Sequence, residues 1–374
     1  MIKHAKRLDS VEEYYFSKKL REVSKMIALG EPVINMGVGS PDLYPSKNVI
    51  DEISSSLSDQ VAHKYQSYQG IYELRKSISN FYKKYFNVEV NPDNEVLPLM
   101  GSKEGIMHVS LAFLNPGDEV LIPNPGYPTY LAVTKLVEAK PRFYNLSQEN
   151  NWFPDIEELE KSDLSKVRIM WINYPHMPTG ASASIKQFEQ LINFAKKNNI
   201  LIINDNPYSF ILNDNHTSLL SVDNSKEVAM ELNSLSKSFN MSGWRVGMLL
   251  GSLENISRVL KVKSNMDSGM FYGVQKGAIA ALNLDKSWFD KLNIIYTKRR
   301  ELIWKIADVL NCTYDKNSKG LFVWAKLPDE IKDSEKFIDY LLNEKKIFVA
   351  PGTIFGSEGQ GYIRFSLCID ESKI

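Results

Sequence analysis

Lys237 stands in the stretch SLSKSFNMSGWRVG, residues 234 to 247, and its neighbours are unusual for a solvated lysine. Most lysines are surface charges that need no special setting. Here Ser234, Ser236 and Ser238 crowd the residue, a short apolar stretch precedes it, and Arg245 follows eight residues later beside Gly243 and Gly247. Hydroxyls and a guanidinium are good phosphate ligands. A lysine can join an aldehyde covalently, which opens amine chemistry. The pattern points to covalent lysine chemistry beside a bound phosphate.

Five further positions carry chemistry. Asp205 ends the apolar run ILIIND, where a carboxylate is costly unless paired. It either caps a turn or holds a protonated ring nitrogen. Tyr208, three residues on, either packs or donates to a ring oxygen. GSKEG, Gly101 to Gly105, lies between a strand pattern and a helix pattern. A Gly-Ser turn is a weak signal alone, but the amides of Ser102 and Lys103 at a helix start would bind phosphate. Tyr127 in PNPGYPTY is turn packing or a ring that stacks on a planar cofactor. Arg364 sits inside the apolar strand GYIRFSLC and demands a carboxylate, either an internal one or that of a substrate.

These residues need a scaffold. Strand patterns fall at 95–100, 118–125, 167–175, 200–208 and 227–236, and 184–198 has helical spacing. Strands alternating with helices give an α/β fold, a doubly wound and mostly parallel sheet. Continuous Ile/Val/Leu runs fit strands covered on both faces. Such sheets bind ligands at the carboxyl ends of their strands. Asn173 and Tyr174 end one strand, Asp205 and Tyr208 the next, and Lys237 the third. The two intervals, Asn173 to Asp205 and Asp205 to Lys237, are both 32 residues, one strand–helix–strand unit each. The tail reads as a smaller α+β lobe: a helix at 287–310, LFVWAKL, a helix near 335–344, IFVAPG and YIRFSLC. The N-terminal forty residues are expected to pack on it. The expected division is a large domain over 45–282 and a discontinuous small domain of 1–44 plus 283–374.

Composition narrows the function classes. The chain has 374 residues, with 45 Lys plus Arg against 45 Asp plus Glu. A balanced charge asks for neither nucleic acid nor an anionic membrane. Cys312 and Cys368 make no metal-type spacing and no disulfide framework, so no metal is expected and a reducing cytoplasm is the simplest location. The N-terminal residues lack an apolar signal core, and no apolar run approaches the roughly 18 residues that span a bilayer. No G-x-G-x-x-G follows an early strand, which sets a Rossmann dehydrogenase aside.

The chain resembles the fold-type I, pyridoxal-phosphate-dependent aminotransferases of class I/II. Eight stretches carry the resemblance in order: VINMGVGSPD, YQSYQGIYELR, GSKEGI, NPGDEVLIPNPGYPTY, NYPHMPTGA, NDNPY, SLSKSFNMSGWRVG and GYIRFSLC. The resemblance implies that Lys237 is the Schiff-base lysine and moves the proton. It implies that Asp205 pairs with the pyridine nitrogen, that Tyr208 donates to the 3′-oxygen and that Tyr127 stacks on the ring. Asn173 joins the cofactor set. Ser234, Ser236 and Arg245 would hold the phosphate with the amides of Ser102 and Lys103 after Gly101. Tyr65 would reach the phosphate of a neighbouring subunit, which implies a homodimer with shared sites. Arg364, helped by the backbone at Gly39, would bind the α-carboxylate. The implied reaction is ping-pong amino transfer between an L-amino acid and a 2-oxo acid. A C–S β-lyase shares the same core constellation. A non-catalytic regulator would need a DNA-binding domain ahead of the fold, and only about forty residues, without a helix-turn-helix pattern, precede GSPD.

One departure stands out. The family usually has an asparagine just before PTG, and here Met177 takes its place. A thioether cannot donate a hydrogen bond. His176 is the nearest substitute donor, although a loop histidine is more often exposed. KSNMDSGMF resembles a stretch of diaminopimelate-type aminotransferases that lies near the partner's phosphate. That makes Asn265 and Ser268 weak site candidates, with a helix N-cap the alternative for both.

Overall fold

The computed structural model describes residues 2–13 and 15–374. Strand β1 (Ile34–Asn35) is followed by seven strands that form the main sheet: β2 (Val96–Leu99), β3 (Glu119–Asn124), β4 (Lys140–Asn145), β5 (Val167–Ile172), β6 (Leu201–Asp205), β7 (Ala229–Ser234) and β8 (Gly247–Leu250). Their spatial order is β2-β8-β7-β6-β5-β3-β4. The pairs from β4 across to β7 are parallel, and β8 runs antiparallel to both neighbours. The fold is α/β with a mostly parallel central sheet.

Side chains alternate between the two faces of a strand, and both faces here are covered. Ile169 and Trp171 pack into one core with Ile203, Leu232 and the helix at Ser102–Phe113. Met170 and Ile172 pack into the other, with the helices at Tyr72–Phe86 and Ile185–Asn198. That two-sided burial is why these strands read as continuous apolar runs. Two strands carry no such signal. β4 is the charged edge strand KPRFYN, with one buried residue, Tyr144, as edge strands often have few. β8 is only GMLL.

The three site-bearing strands are shorter than their sequence patterns. β5 stops at Ile172, β6 at Asp205 and β7 at Ser234. Beyond each, polar side chains take over the backbone's hydrogen bonds. Lys237 therefore lies on a one-turn helix, Leu235–Ser238, which Ser234 caps by accepting from the Ser236 amide at 3.1 Å.

The tail forms strands β9 (Thr313–Tyr314), β10 (Phe322–Lys326), β11 (Ile347–Phe348), β12 (Ala350–Pro351) and β13 (Tyr362–Ser366), with helices at Lys286–Val309 and Ser334–Lys345. Strand β1 pairs parallel with β11, and β12-β13-β10-β9 form a four-stranded antiparallel sheet. The Ser366 amide donates to the Met36 carbonyl. Arg299, buried, grips Asp42 through two bonds of 2.7 and 2.9 Å. The early segment Ile34–Asp42 is thus fastened to the C-terminal part of the chain.

Candidate active site

A cavity of about 360 Å³ opens where the carboxyl ends of β6 and β7 meet the segment at Val38–Ser40 and strand β13. Ligand sites of a few hundred cubic ångströms are typical for small molecules. Ser102, Lys103, Tyr127, Asn173, Asp205, Tyr208, Ser234, Ser236, Lys237, Arg245, Gly39 and Arg364 all line it. Residues hundreds of positions apart thus meet as the strand topology requires.

One end of the cavity is built for an anion. The helix at Ser102–Phe113 points its first amides into it, with Gly101 at φ 92° as its N-cap. A Cβ on Gly101 would lie 2.2 Å from Arg245 Nη2, so only glycine lets the guanidinium reach the helix start. A Cβ on Gly247 would meet the Ser102 amide at 2.5 Å. The Ser234 and Ser236 hydroxyls, 2.9 Å apart, complete this end. Amides at a helix start, hydroxyls and a guanidinium make an anion site.

The middle of the cavity holds Asp205 and Lys237. Asp205 is buried; its Oδ2 accepts from Tyr130 Oη at 3.0 Å and its Oδ1 has no hydrogen-bond partner among the described residues. Burial raises its pKa to about 7 against the pull of Tyr130 and Lys237. Tyr130 is itself fixed by stacking on Trp171, ring centroids 5.1 Å apart. Lys237 Nζ donates to the Gly39 carbonyl at 2.5 Å. Burial draws its pKa below the usual lysine range, and the nearby Arg364 and Arg245 add to this. A lysine so tuned has a larger neutral, nucleophilic fraction.

The far end is built around Arg364. Its Nη2 donates to the Gly37 carbonyl at 2.7 Å and its Nη1 to Met177 Sδ at 3.3 Å. The guanidinium lies over three rings, Phe322 at 3.9 Å, Phe355 at 4.7 Å and Phe16 at 5.4 Å. These cation–π contacts hold it flat against an apolar wall. Met177 thus serves Arg364 as an acceptor, a role a thioether can fill, and offers no donor.

Some expected residues are placed otherwise. Asn173 lines the cavity, but its amide donates to the Asp205 carbonyl and its Oδ1 accepts from the Met177 amide at 2.8 Å. It ties the ends of β5 and β6 together. Tyr65 is 90% exposed and does not line this cavity. His176 is buried rather than exposed; it bonds Thr179 Oγ1 at 2.8 Å, and burial lowers its pKa to about 3. It does not line the cavity and cannot replace the missing donor. Asn265 and Ser268 also lie outside it, both exposed, and Asn265 follows the end of the helix at Leu253–Lys263 rather than capping a start. Tyr130 carries no signal of its own in the sequence; only the folded chain brings its hydroxyl to Asp205.

The model of the family described as aminotransferase class I and II matches residues 31–374. The chain belongs to the class I and II aminotransferases. LL-diaminopimelate aminotransferases of Dehalococcoides mccartyi and Aquifex aeolicus are 38% and 37% identical to it, over the whole chain and 96% and 97% of their own lengths. Among solved structures, substrate-bound BacF of Bacillus subtilis superposes with a TM-score of 0.96 at 32% identity, covering all of this chain and 95% of that one.

The aminotransferase is a transaminase and depends on pyridoxal phosphate. Its residues fit that cofactor. The orphaned Asp205 Oδ1 can accept from a ring N–H, the cradle that glycines at 101 and 247 leave open would take a phosphate, and Lys237 lines the same cavity.

Proposed function

We propose that the site residues divide the transaminase reaction as follows, on one observation above the others: the partnerless Asp205 oxygen buried in the cavity that Lys237 enters. Pyridoxal phosphate supplies an aldehyde for amines and an electron-withdrawing ring that stabilises charge at the carbon being deprotonated. Asp205 holds the ring nitrogen and keeps its proton in place. Tyr208 is the remaining donor for the ring oxygen, since Met177 offers none. Tyr127 packs on the ring face. Ser234, Ser236, Arg245 and the Ser102 and Lys103 amides hold the phosphate. Lys237 carries the proton to and from the substrate's Cα as a neutral amine. Arg364 holds the α-carboxylate, with the Gly39 backbone beside it.

The charged residues lining the cavity, among those described, are Lys103, Asp205, Lys237, Arg245 and Arg364. The side chains of Asp205, Lys237, Arg245 and Arg364 each have a place in this scheme, and Lys103 enters it through its amide. The apolar part of the lining includes Phe16, Leu20, Val38, Phe322 and Phe355, and the three rings among these lie against Arg364. That wall favours a donor with a large apolar side chain. The second reading is an LL-diaminopimelate-type donor, which the names of the relatives favour. A donor panel with 2-oxoglutarate as acceptor separates them. We expect kcat/KM for L-phenylalanine or L-leucine to exceed that for LL-diaminopimelate and L-aspartate by about a hundredfold, the scale of unpaired polar groups in such a site. A preference for LL-diaminopimelate would establish the second reading.

We also infer a domain division at 45–282 against 1–44 plus 283–374, from the strand pairing of β1 with β11. The exposed Tyr65 supports a homodimer that shares its sites. The unpaired cysteines Cys312 and Cys368 support a cytoplasmic location. No helix among the described residues is long and apolar enough to cross a membrane.

A further inference from the structure

Glu231 lies in the middle of β7 and has no solvent exposure. An ionised carboxylate there is affordable only if fully hydrogen-bonded. It is surrounded by donors. Oε1 accepts from Tyr82 Oη at 3.0 Å, Asn206 Nδ2 at 3.2 Å and Ser218 Oγ at 2.9 Å. Oε2 accepts from Asn204 Nδ2 at 3.1 Å and the Leu219 amide at 3.0 Å.

Two of those donors flank Asp205. Alternation along β6 sends Asn204 and Asn206 to one side and Asp205 to the other. Glu231 therefore holds the residues before and after Asp205 from the opposite face of the sheet. The same patch is tied to β5: Asn204 Oδ1 accepts from the Tyr174 amide at 2.9 Å, and Asn173 holds the Asp205 carbonyl. Asp205 itself has one side-chain bond, to Tyr130. Its placement comes from its neighbours.

We propose that Glu231 is a positioning residue for Asp205: it clamps Asn204 and Asn206, fixes the end of β6, and sets a negative charge behind the ring-nitrogen site. This rests on the reading that Asp205 holds the cofactor's ring nitrogen. A plain core brace would stabilise the fold without touching the cofactor's properties, and that difference is measurable.

The test compares holoenzymes of E231Q, N206A and S218A. N206A and S218A each remove one donor from the same oxygen, Oε1, but only N206A frees a flank of Asp205. E231Q should weaken affinity for pyridoxal phosphate about tenfold or more, as loss of a supporting hydrogen-bond partner does at other sites. It should also move the pH midpoint of the cofactor's visible absorption to lower pH, because a negative charge near a cationic ring has gone. N206A should weaken cofactor affinity in the same direction, and S218A should lower Tm while leaving midpoint and affinity as in the wild type. If E231Q does not fold, the N206A and S218A pair carries the test alone. The assignment fails if N206A and S218A are alike in cofactor affinity, or if E231Q loses Tm with affinity and midpoint unmoved. Wild-type protein that takes up pyridoxal phosphate with an affinity and midpoint insensitive to D205N would instead remove the underlying reading of Asp205.

Discussion

Asp205 makes a sharp claim at the scale of one residue. Burial puts its pKa at about 7, above the ordinary value of 3.8, so folding favours its protonated form. That contribution is fully present below the ordinary value and is lost as pH rises through about 7. Asp205→Asn keeps the site neutral at every pH. The apo-protein of this variant should therefore melt at a higher temperature than wild type at pH 8 and at nearly the same temperature at pH 4. Thermal unfolding of both apo-proteins checks it. In the holoenzyme the same change should cost about a hundredfold in kcat/KM, the scale of losing a preorganised electrostatic partner. Met177→Leu is the milder case. It removes the sulfur that accepts from Arg364, and KM for the amino donor should rise about two- to fivefold, as expected for one weak hydrogen bond. Steady-state kinetics with the preferred donor would show it. Lys237, Asp205 and Arg364 were legible in the sequence because each residue type conflicts with its setting, a charge inside or at the end of an apolar run. Glu231 and Tyr130 were not. A glutamate in AMELNS reads as the polar side of a half-exposed strand, and only the three-dimensional neighbours reveal five donors around it.

Elements deliver those residues. The strands that read clearly, β3, β5, β6 and β7, are buried on both faces, so hydrophobicity alone marks them. The charged edge strand β4 and the four-residue β8 escape that signal. Strand ends escaped it too: the patterns ran two to three residues long because the polar residues that close each strand sit next to apolar ones. The N-terminal segment matters more than its sequence suggests. Arg299 is 2% exposed, and Asp42 neutralises it while the Leu367 carbonyl takes a further bond at 3.0 Å. Asp42→Ala would leave a buried guanidinium unpaired and should destabilise the protein by about 3–5 kcal/mol. Denaturant unfolding measures it. The change should also disturb Val38–Ser40, whose Gly39 carbonyl meets Lys237, so KM for the donor should rise in parallel.

The whole molecule is where a single chain says least. The cavity gathers Lys237, Asp205, Tyr208, Tyr127, Arg245 and Arg364, while Asn265, Ser268 and Tyr65 stay outside it, Tyr65 90% exposed. A tyrosine so placed belongs to a site on another copy, or to none. If sites are shared in a two-fold dimer, mixing Lys237→Ala with Tyr65→Ala protein, each inactive or nearly so, should restore activity in the hybrids. One intact site per hybrid, with half the dimers hybrid, gives about a quarter of wild-type activity. No recovery after subunit exchange would remove Tyr65 from the site. The central claim, that Lys237 and Asp205 run reversible amino transfer on bound pyridoxal phosphate, is tested most directly by the visible absorption of the holoenzyme. The account predicts a band that an amino donor bleaches, that a 2-oxo acid restores, and that is absent from Lys237→Ala under the same donor cycle. A band that persists while pyruvate and ammonia accumulate, or a wild-type protein that shows no band with added pyridoxal phosphate, would contradict it.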